Sequence, residues 1–187
     1  MKPLTLVLEL ISAFVLSANA ADTFKVDSVH SFVLFGVQHL GVTNTYGRFN
    51  DISGTVVFDK DNPSKSSVEL SVPVESLDTH NSIRDRSVKS PDFFDAKQFP
   101  TITFKSTKVE GSGDALKVSG DLTIRGVTKP LTVDFKKGGE GKGVFGEMRG
   151  GGETHFTIKR SDFGMNFQLG AIGDEVTIIL SLEGIKK

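Results

Sequence analysis

Apolar and polar residues alternate with a period of two through much of the chain. Val68, Leu70, Val72 and Val74 are separated by Glu69, Ser71 and Pro73. Leu116, Val118, Leu122 and Ile124 alternate with Lys117, Ser119, Asp121 and Arg125, and Leu131, Val133 and Phe135 with Thr132, Asp134 and Lys136. Val176, Ile178, Leu180 and Leu182 alternate with Glu175, Thr177, Ser181 and Glu183, with Ile179 as the exception. Ile102 with Phe104, and Phe156 with Ile158, repeat the pattern. Side chains of a strand point to opposite faces in turn, so this period predicts strands with one dry face and one wet face. With Ser31–His39 and Phe49–Phe58 added, the pattern predicts about eight strands and an all-β chain.

Turn chemistry separates the strands. Asp59-Lys60-Asp61-Asn62-Pro63-Ser64 and Gly111-Ser112-Gly113-Asp114 are turn clusters, and Arg125-Gly126 reads as a tight hairpin between two alternating runs. Two segments break the meander. Glu75–Pro100 has no alternation; within it Asn81 can cap a short helix running toward Lys89, which Pro91 would end. Gly138–Gly152 holds eight glycines and is expected to be a mobile hairpin or loop.

Antiparallel strands with one apolar face must hide that face, and closing them into a barrel also removes the edges that invite aggregation. Eight strands enclose an interior that side chains either fill or leave open for one small ligand. Phe32 to Val37 is apolar on both faces; Gly36 and Gln38 interrupt one of them, so Val33, Phe35 and Val37 are assigned inward. An outer-membrane barrel would carry an apolar outside with girdles of Trp and Tyr. This chain has no Trp and one Tyr, and its polar faces bear Lys117, Asp121 and Asp134, which suits water contact.

Composition narrows the function classes. Of the 187 residues, 22 are Lys or Arg and 23 Asp or Glu, so the net charge is −1 and no basic excess points to nucleic acid. Without cysteine there is no disulfide framework, thiolate metal site or thiol nucleophile. Fifteen Phe against one Tyr give many rings with few polar tips, which suits a greasy interior. At the N-terminus, Met1-Lys2 precedes an apolar run from Leu4 to Leu16 and then Ala18-Asn19-Ala20. That is the order of a secretory signal peptide with cleavage after Ala20, leaving 21–187 as one domain. Glu9 interrupts the run, which leaves no clean stretch of about 20 apolar residues for a membrane span.

Candidate chemistry is sparse. His30, His39, His80 and His155 share no ligand spacing, and His30 and His39, an odd number apart, would face opposite ways on a continuous strand. Asp27, His30 and Ser31 supply the residue types of a nucleophile triad without the strand-turn-helix elbow that usually presents one. Gly141, Gly143 and Gly146 match G-x-G-x-x-G, but in an all-β context that lacks the βαβ unit this motif needs. Arg84-Asp85-Arg86 reads either as a solvated helix face or as a polar rim over a barrel mouth. An apolar interior suits a long ligand: burying ten methylenes yields about 8 kcal/mol, whereas association costs about 4–15 kcal/mol.

Several segments in order carry a family resemblance: His30-Ser31 with Phe35, Gln38-His39-Leu40-Gly41, Gly47-Arg48-Phe49 and Gly54; Ser76-Leu77-Asp78-Thr79 with Arg84-Asp85; Ser90-Pro91-Asp92-Phe93-Phe94-Asp95 and Phe99-Pro100-Thr101-Ile102-Thr103-Phe104; Gly120 through Pro130; Arg160 through Met165; and Gly173-Asp174-Glu175-Val176. Over essentially the whole length after Ala20 the chain resembles the YceI-like family of secreted polyisoprenoid- or lipid-binding proteins. The resemblance implies an extended lipocalin-like barrel of eight antiparallel strands with a short helical segment between strands. It also implies an amphipathic chain in the central tunnel: a polyisoprenoid, an isoprenoid quinone or a fatty-acid derivative. The family often has His-Leu one residue after the Arg-Asp pair, where this chain has Ser87-Val88. No catalytic motif comes with the resemblance.

The expected tunnel lining is Val33, Phe35, Val56, Phe58, Leu70, Val72, Ile102, Phe104, Leu122, Ile124, Val133, Phe135, Phe156, Phe167 and Ile178, with His39, Arg84 and Arg125 at the rim. The protein is expected to be a periplasmic monomer or homodimer that sequesters or transports a lipid. No catalytic residue, metal ligand or cofactor is assigned beyond an isoprenoid quinone or polyisoprenoid held as ligand. A lipid-modifying enzyme and a structural stress protein with a filled barrel stay open as alternatives.

Overall fold

The computed structural model describes residues 21–187, so the leader read at residues 1–20 lies outside the described residues. Eleven strand segments and one α-helix follow in order: β1 (Asp22–Val26), β2 (Phe32–His39), β3 (Thr43–Phe49), β4 (Ser53–Phe58), β5 (Ser67–Pro73), β6 (Leu77–Asp78), α1 (Ser82–Lys89), β7 (Thr101–Ser112), β8 (Ala115–Ile124), β9 (Val127–Lys142), β10 (Met148–Lys159) and β11 (Ile172–Lys186).

The eleven segments make eight staves because three staves are each broken in two. β1 and β2 lie end to end along one edge of β11, where Val26 pairs with Gly184 and Phe32 with Ser181. β4 and β3 run along the other edge of that stave, and β5 and β6 follow beyond them. β7 to β11 then continue as antiparallel neighbours, and β11 returns to β1, closing a barrel of eight antiparallel staves. The alternation read from the sequence found the staves and missed the breaks. His30 therefore stands in the turn between β1 and β2 and not on one strand with His39.

Ser31 mends the first break. Its hydroxyl accepts the Glu183 backbone N–H at 3.0 Å and donates to the Glu183 carbonyl at 3.1 Å, replacing ladder bonds that the turn removes.

Arg125 and Gly126 connect β8 to β9 with φ of 51° and 72°, the two positive values that a two-residue type I′ hairpin requires. Asn81 caps α1, its side chain accepting from the N–H groups of Ile83 and Arg84 at 3.1 and 3.0 Å. Of the two forms expected for Gly138–Gly152, a hairpin or a loop, the structure has the hairpin: β9 runs to Lys142, β10 begins at Met148, and only 143–147 turns. Gly141, Gly150, Gly151 and Gly152 are ladder residues, and Gly143 and Gly146 belong to the turn. A Cβ on Gly152 would run into the Phe135 ring, and one on Gly151 into the Leu182 carbonyl.

The same device recurs inside the barrel. Phe35 lies over its cross-strand partner Gly47, and Phe104, paired with Leu122, reaches diagonally over Gly120. A ring that reaches over a glycine of the next strand occupies space that a Cβ there would need.

The dry faces point inward as read. Phe32 and Leu34, on the other face of β2, are 41% and 37% exposed, which supports the inward assignment of Val33, Phe35 and Val37. Cross-strand ion pairs dress the outside, Lys105 with Glu69 at 2.9 Å and Lys117 with Asp134 at 2.7 Å. Exposed pairs of this kind contribute about 0–1 kcal/mol. Inside, one cluster gathers Val26, Phe49, Ile52, Leu70, Val72, Leu77 and Leu182; another gathers Leu122, Ile124, Phe163 and Met165, with Phe94 and Phe104 touching both. No helix among the described residues is long and apolar enough to cross a membrane.

The strand directions bring α1, the β2–β3 turn, the β8–β9 turn and the segment 160–171 to one end of the barrel. The β4–β5, β7–β8 and β9–β10 turns lie at the other.

Candidate functional site

The inward positions of the eight staves surround a cavity of about 360 Å³. Val33, Phe35, Val56, Phe58, Leu70, Val72, Ile102, Phe104, Leu122, Ile124, Val133, Phe135, Phe156 and Ile178 all stand on its wall, as do His39 and Arg84.

Phe167 and Arg125 do not. Phe167 lies in the irregular segment before β11, where period-two reasoning has no hold; its ring meets Phe93 edge-on at 5.5 Å and is 40% exposed. Arg125 occupies the β8–β9 turn and braces two neighbouring segments, donating to the carbonyls of Pro91 at 3.0 Å and Gly164 at 3.2 Å. Its left-handed backbone turns the side chain across the end of the barrel instead of into the opening.

The wall also includes residues not assigned to it from sequence. Leu116, Val118, Leu131, Val176, Leu180 and Leu182 continue the same alternation and were within reach of that signal. Phe93, Phe94 and Met165 come from irregular segments that carry no period.

Polar groups gather at the ends of the cavity. At the α1 end, Gln38, His39, Thr45, Thr79, Arg84 and Ser87 line it, and Gln38, His39, Arg84 and Ser87 are also exposed to solvent, so the cavity opens there. Thr79 holds the arginine in place. Arg84 donates through Nε to the Thr79 hydroxyl at 2.8 Å and through Nη2 to the Thr79 carbonyl at 2.7 Å, while that hydroxyl donates to Asp85 at 2.6 Å. Among the described residues Arg84 makes no direct ion pair, and the Asp85 carboxylate reaches it only through the shared Thr79 hydroxyl. At the far end Lys137 lies 4.6 Å from the centre of the Phe58 ring and 3.5 Å from Glu140, which neutralises it.

Arg160, just after β10, is 4% exposed and fastens the segment that borders the α1 end. It donates to the carbonyls of Gly173, Met165 and Ile172 at 2.8, 2.6 and 2.8 Å. Desolvation lowers its pKa, and the nearby Asp174 opposes that shift. Asp174 accepts the Ser161 N–H at 2.9 Å and hydroxyl at 2.8 Å, which hold its carboxyl below the usual range.

The triad-like residues do other work. The Ser31 hydroxyl is spent on β11, and His30 Nδ1 lies 2.8 Å from Asp27. Asp27, His30 and Glu183 bring three potential metal-ligating atoms within 4.8 Å of one another, a gathering the histidine spacing did not foretell. Arg149 Nη1 occupies the middle of that group, 2.7 Å from Asp27 and 2.6 Å from Glu183. The hydrogen bond from His30, then that from Arg149, lowers the Asp27 pKa to about 2. His155 points outward, paired with Glu153 at 2.7 Å. Gly141, Gly143 and Gly146 fall in β9 and its hairpin turn, with no helix after them.

Comparison with known proteins follows the same geometry. A family model described as the YceI-like domain matches residues 24–184. Protein YceI of Escherichia coli O157:H7 is 42% identical over 173 residues, covering 91% of this chain and 90% of that one. The crystal structure of Burkholderia cenocepacia BcnA superimposes with a TM-score of 0.74 at 28% identity, covering 84% of this chain and 98% of that one. A domain from Saccharophagus degradans described as polyisoprenoid-binding shares the fold, with a TM-score of 0.70 at 14% identity, covering 88% of this chain and 98% of that one.

Proposed function

The chain belongs to the YceI-like family, and from that premise we propose that it binds one long-chain amphipathic lipid, its tail in the barrel and its head at the α1 end. The carrying observation is the cavity itself, apolar along its length and polar at its ends. Each methylene moved from water to such a wall contributes about 0.8 kcal/mol, so a long tail offsets the cost of association where a short one does not. Arg84, His39, Gln38 and Ser87 suit a head group that accepts hydrogen bonds.

In this reading the protein sequesters or transports its ligand without transforming it. The fold shared with a domain described as polyisoprenoid-binding supports a polyisoprenoid or isoprenoid quinone as the first ligand to test, with fatty-acid derivatives next. The leader reading of residues 1–20 supports export, and the family resemblance supports a periplasmic site of action.

The test is native mass spectrometry of protein exported and purified without detergent, followed by solvent extraction. One co-purified long-chain lipid per chain is expected, or uptake of one added isoprenoid quinone. Ile178→Trp, which adds a large ring to the cavity wall, should reduce uptake strongly while the barrel still folds. Equal uptake by this variant, or an empty wild-type protein that refuses every long-chain lipid offered, would overturn the reading.

A further inference from the structure

We propose that the α1 end of the barrel is a membrane-docking surface that settles on the head-group layer of an anionic bilayer, so that the lipid passes between membrane and cavity without crossing water. This rests on the lipid-binding reading and adds to it the partner from which the ligand comes.

The first observation is where the exposed apolar side chains lie. Three separate segments bring them to the mouth: Leu40 and Val42 in the β2–β3 turn, 60% and 82% exposed; Ile83 on the first turn of α1, 70% exposed; and Phe167 and Leu169 before β11, each 40% exposed. The Leu40 N–H donates to the Ala171 carbonyl at 2.7 Å, tying two of these segments together. They come from three segments, with Gly41 between Leu40 and Val42 and Gln168 between Phe167 and Leu169. A fluid interface accepts isolated tips at any spacing, whereas a protein partner would need a matching socket for each.

Charge is the second observation. Arg86 stands one turn beyond Ile83, on the same side of α1. Among the described residues neither Arg84 nor Arg86 makes an ion pair, while the intervening Asp85 is engaged by the Thr79 N–H at 2.8 Å and hydroxyl at 2.6 Å. Unpaired arginines beside apolar tips complement anionic lipid head groups.

The third observation is continuity. Gln38, His39, Arg84 and Ser87 belong both to the cavity wall and to the exposed rim, so the lumen opens among the tips. The far end offers one rival tip, the β9–β10 hairpin, where Val144, Phe145 and Met148 are 93%, 94% and 40% exposed. Lys142 beside it makes no ion pair among the described residues, but the tip comes from one segment and not from three. That single tip serves as the internal control.

The experiment is co-sedimentation of the mature protein with sucrose-loaded vesicles of phosphatidylethanolamine and phosphatidylglycerol, against vesicles of phosphatidylcholine alone. The wild type should sediment with the anionic vesicles. Val42→Asp with Ile83→Asp should weaken that binding about tenfold or more, and Arg86→Glu should weaken it in a salt-dependent way. Val144→Asp with Phe145→Asp should leave it intact. Uptake of an isoprenoid quinone from an aqueous dispersion should be unchanged in all variants, which shows them folded; sedimentation without any such uptake supports docking while overturning the lipid cargo. Absence of vesicle binding by the wild type, equal loss in the far-end variant, or a role for Val42 and Ile83 only in self-association would overturn the proposal.

Discussion

The Phe35 ring lies where a side chain on Gly47 would have to stand: the two residues face each other across β2 and β3, and a Cβ on Gly47 would fall well inside contact distance of the ring. The same Cβ would come within 2.9 Å of Thr79 Cγ2, and Thr79 holds Arg84 at the mouth. One glycine thus makes room for a wall ring and for the polar end of the cavity.

Gly47→Ala should therefore destabilise the barrel by about 1–3 kcal/mol, the usual cost of overpacking. In thermal denaturation this is a fall of about 2–4 °C per kcal/mol for a chain of this size. Adding Phe35→Leu should recover part of the loss, giving a coupling of about 0.5–3 kcal/mol in a double-mutant cycle. Strict additivity of the two changes would show that the ring and the glycine do not share the space.

Ser31→Ala should cost about 1–3 kcal/mol, because the Glu183 N–H at the stave break loses its partner, while the Glu183 carbonyl keeps the Asp27 N–H. Hydrogen exchange at the Glu183 amide is the sharper probe. Faster exchange there, with the amides of β8 unchanged, is expected.

The Asp27 carboxyl titrates near 2 in the folded protein against an ordinary 3.8. A depressed carboxylate makes its full contribution to stability above the unfolded value and loses it as pH falls through the folded one. Thermal midpoints should therefore drop between about pH 4 and pH 2, and Asp27→Asn should flatten that part of the profile. Asp174, Asp78 and Glu147 are lowered as well, so a slope of the same sign should remain in the variant.

Arg160→Met should be among the costliest single changes, since three carbonyls lose their donor at once. A loss of about 3 kcal/mol or more is expected in urea unfolding. Arg160→Lys should rescue little, because an ammonium cannot reproduce the planar fork. Full stability in the lysine variant would show that charge, and not geometry, holds the segment.

Most of the candidate wall was legible because strand alternation is local. Val133 and Phe135 face inward for the same reason that Thr132 and Asp134 face outward, whichever strands flank them. The helix was legible on the same footing, since Asn81 caps it through its own near neighbours. Arg125 shows where that footing fails: its turn was readable, but the partners of its side chain, Pro91 and Gly164, are distant in sequence. Gly138–Gly152 shows the converse: its sequence predicts a hairpin or a loop, but not how far the hairpin strands run through the glycines. A run of glycines resembles a loop until the rings and backbones that crowd it from β1, β9 and β11 are in place.

Local order along the chain establishes the all-β class, the inward and outward residues, the sharp turn at Arg125-Gly126 and the short capped helix. Each follows from the backbone geometry of a few consecutive residues. Closure of the barrel, the division of three staves, the burial of Arg160 and the grouping of Asp27 with Arg149, 122 residues away, belong to the tertiary structure. These features depend on which staves become neighbours, and alternation says which face of a strand is dry without saying what lies against it.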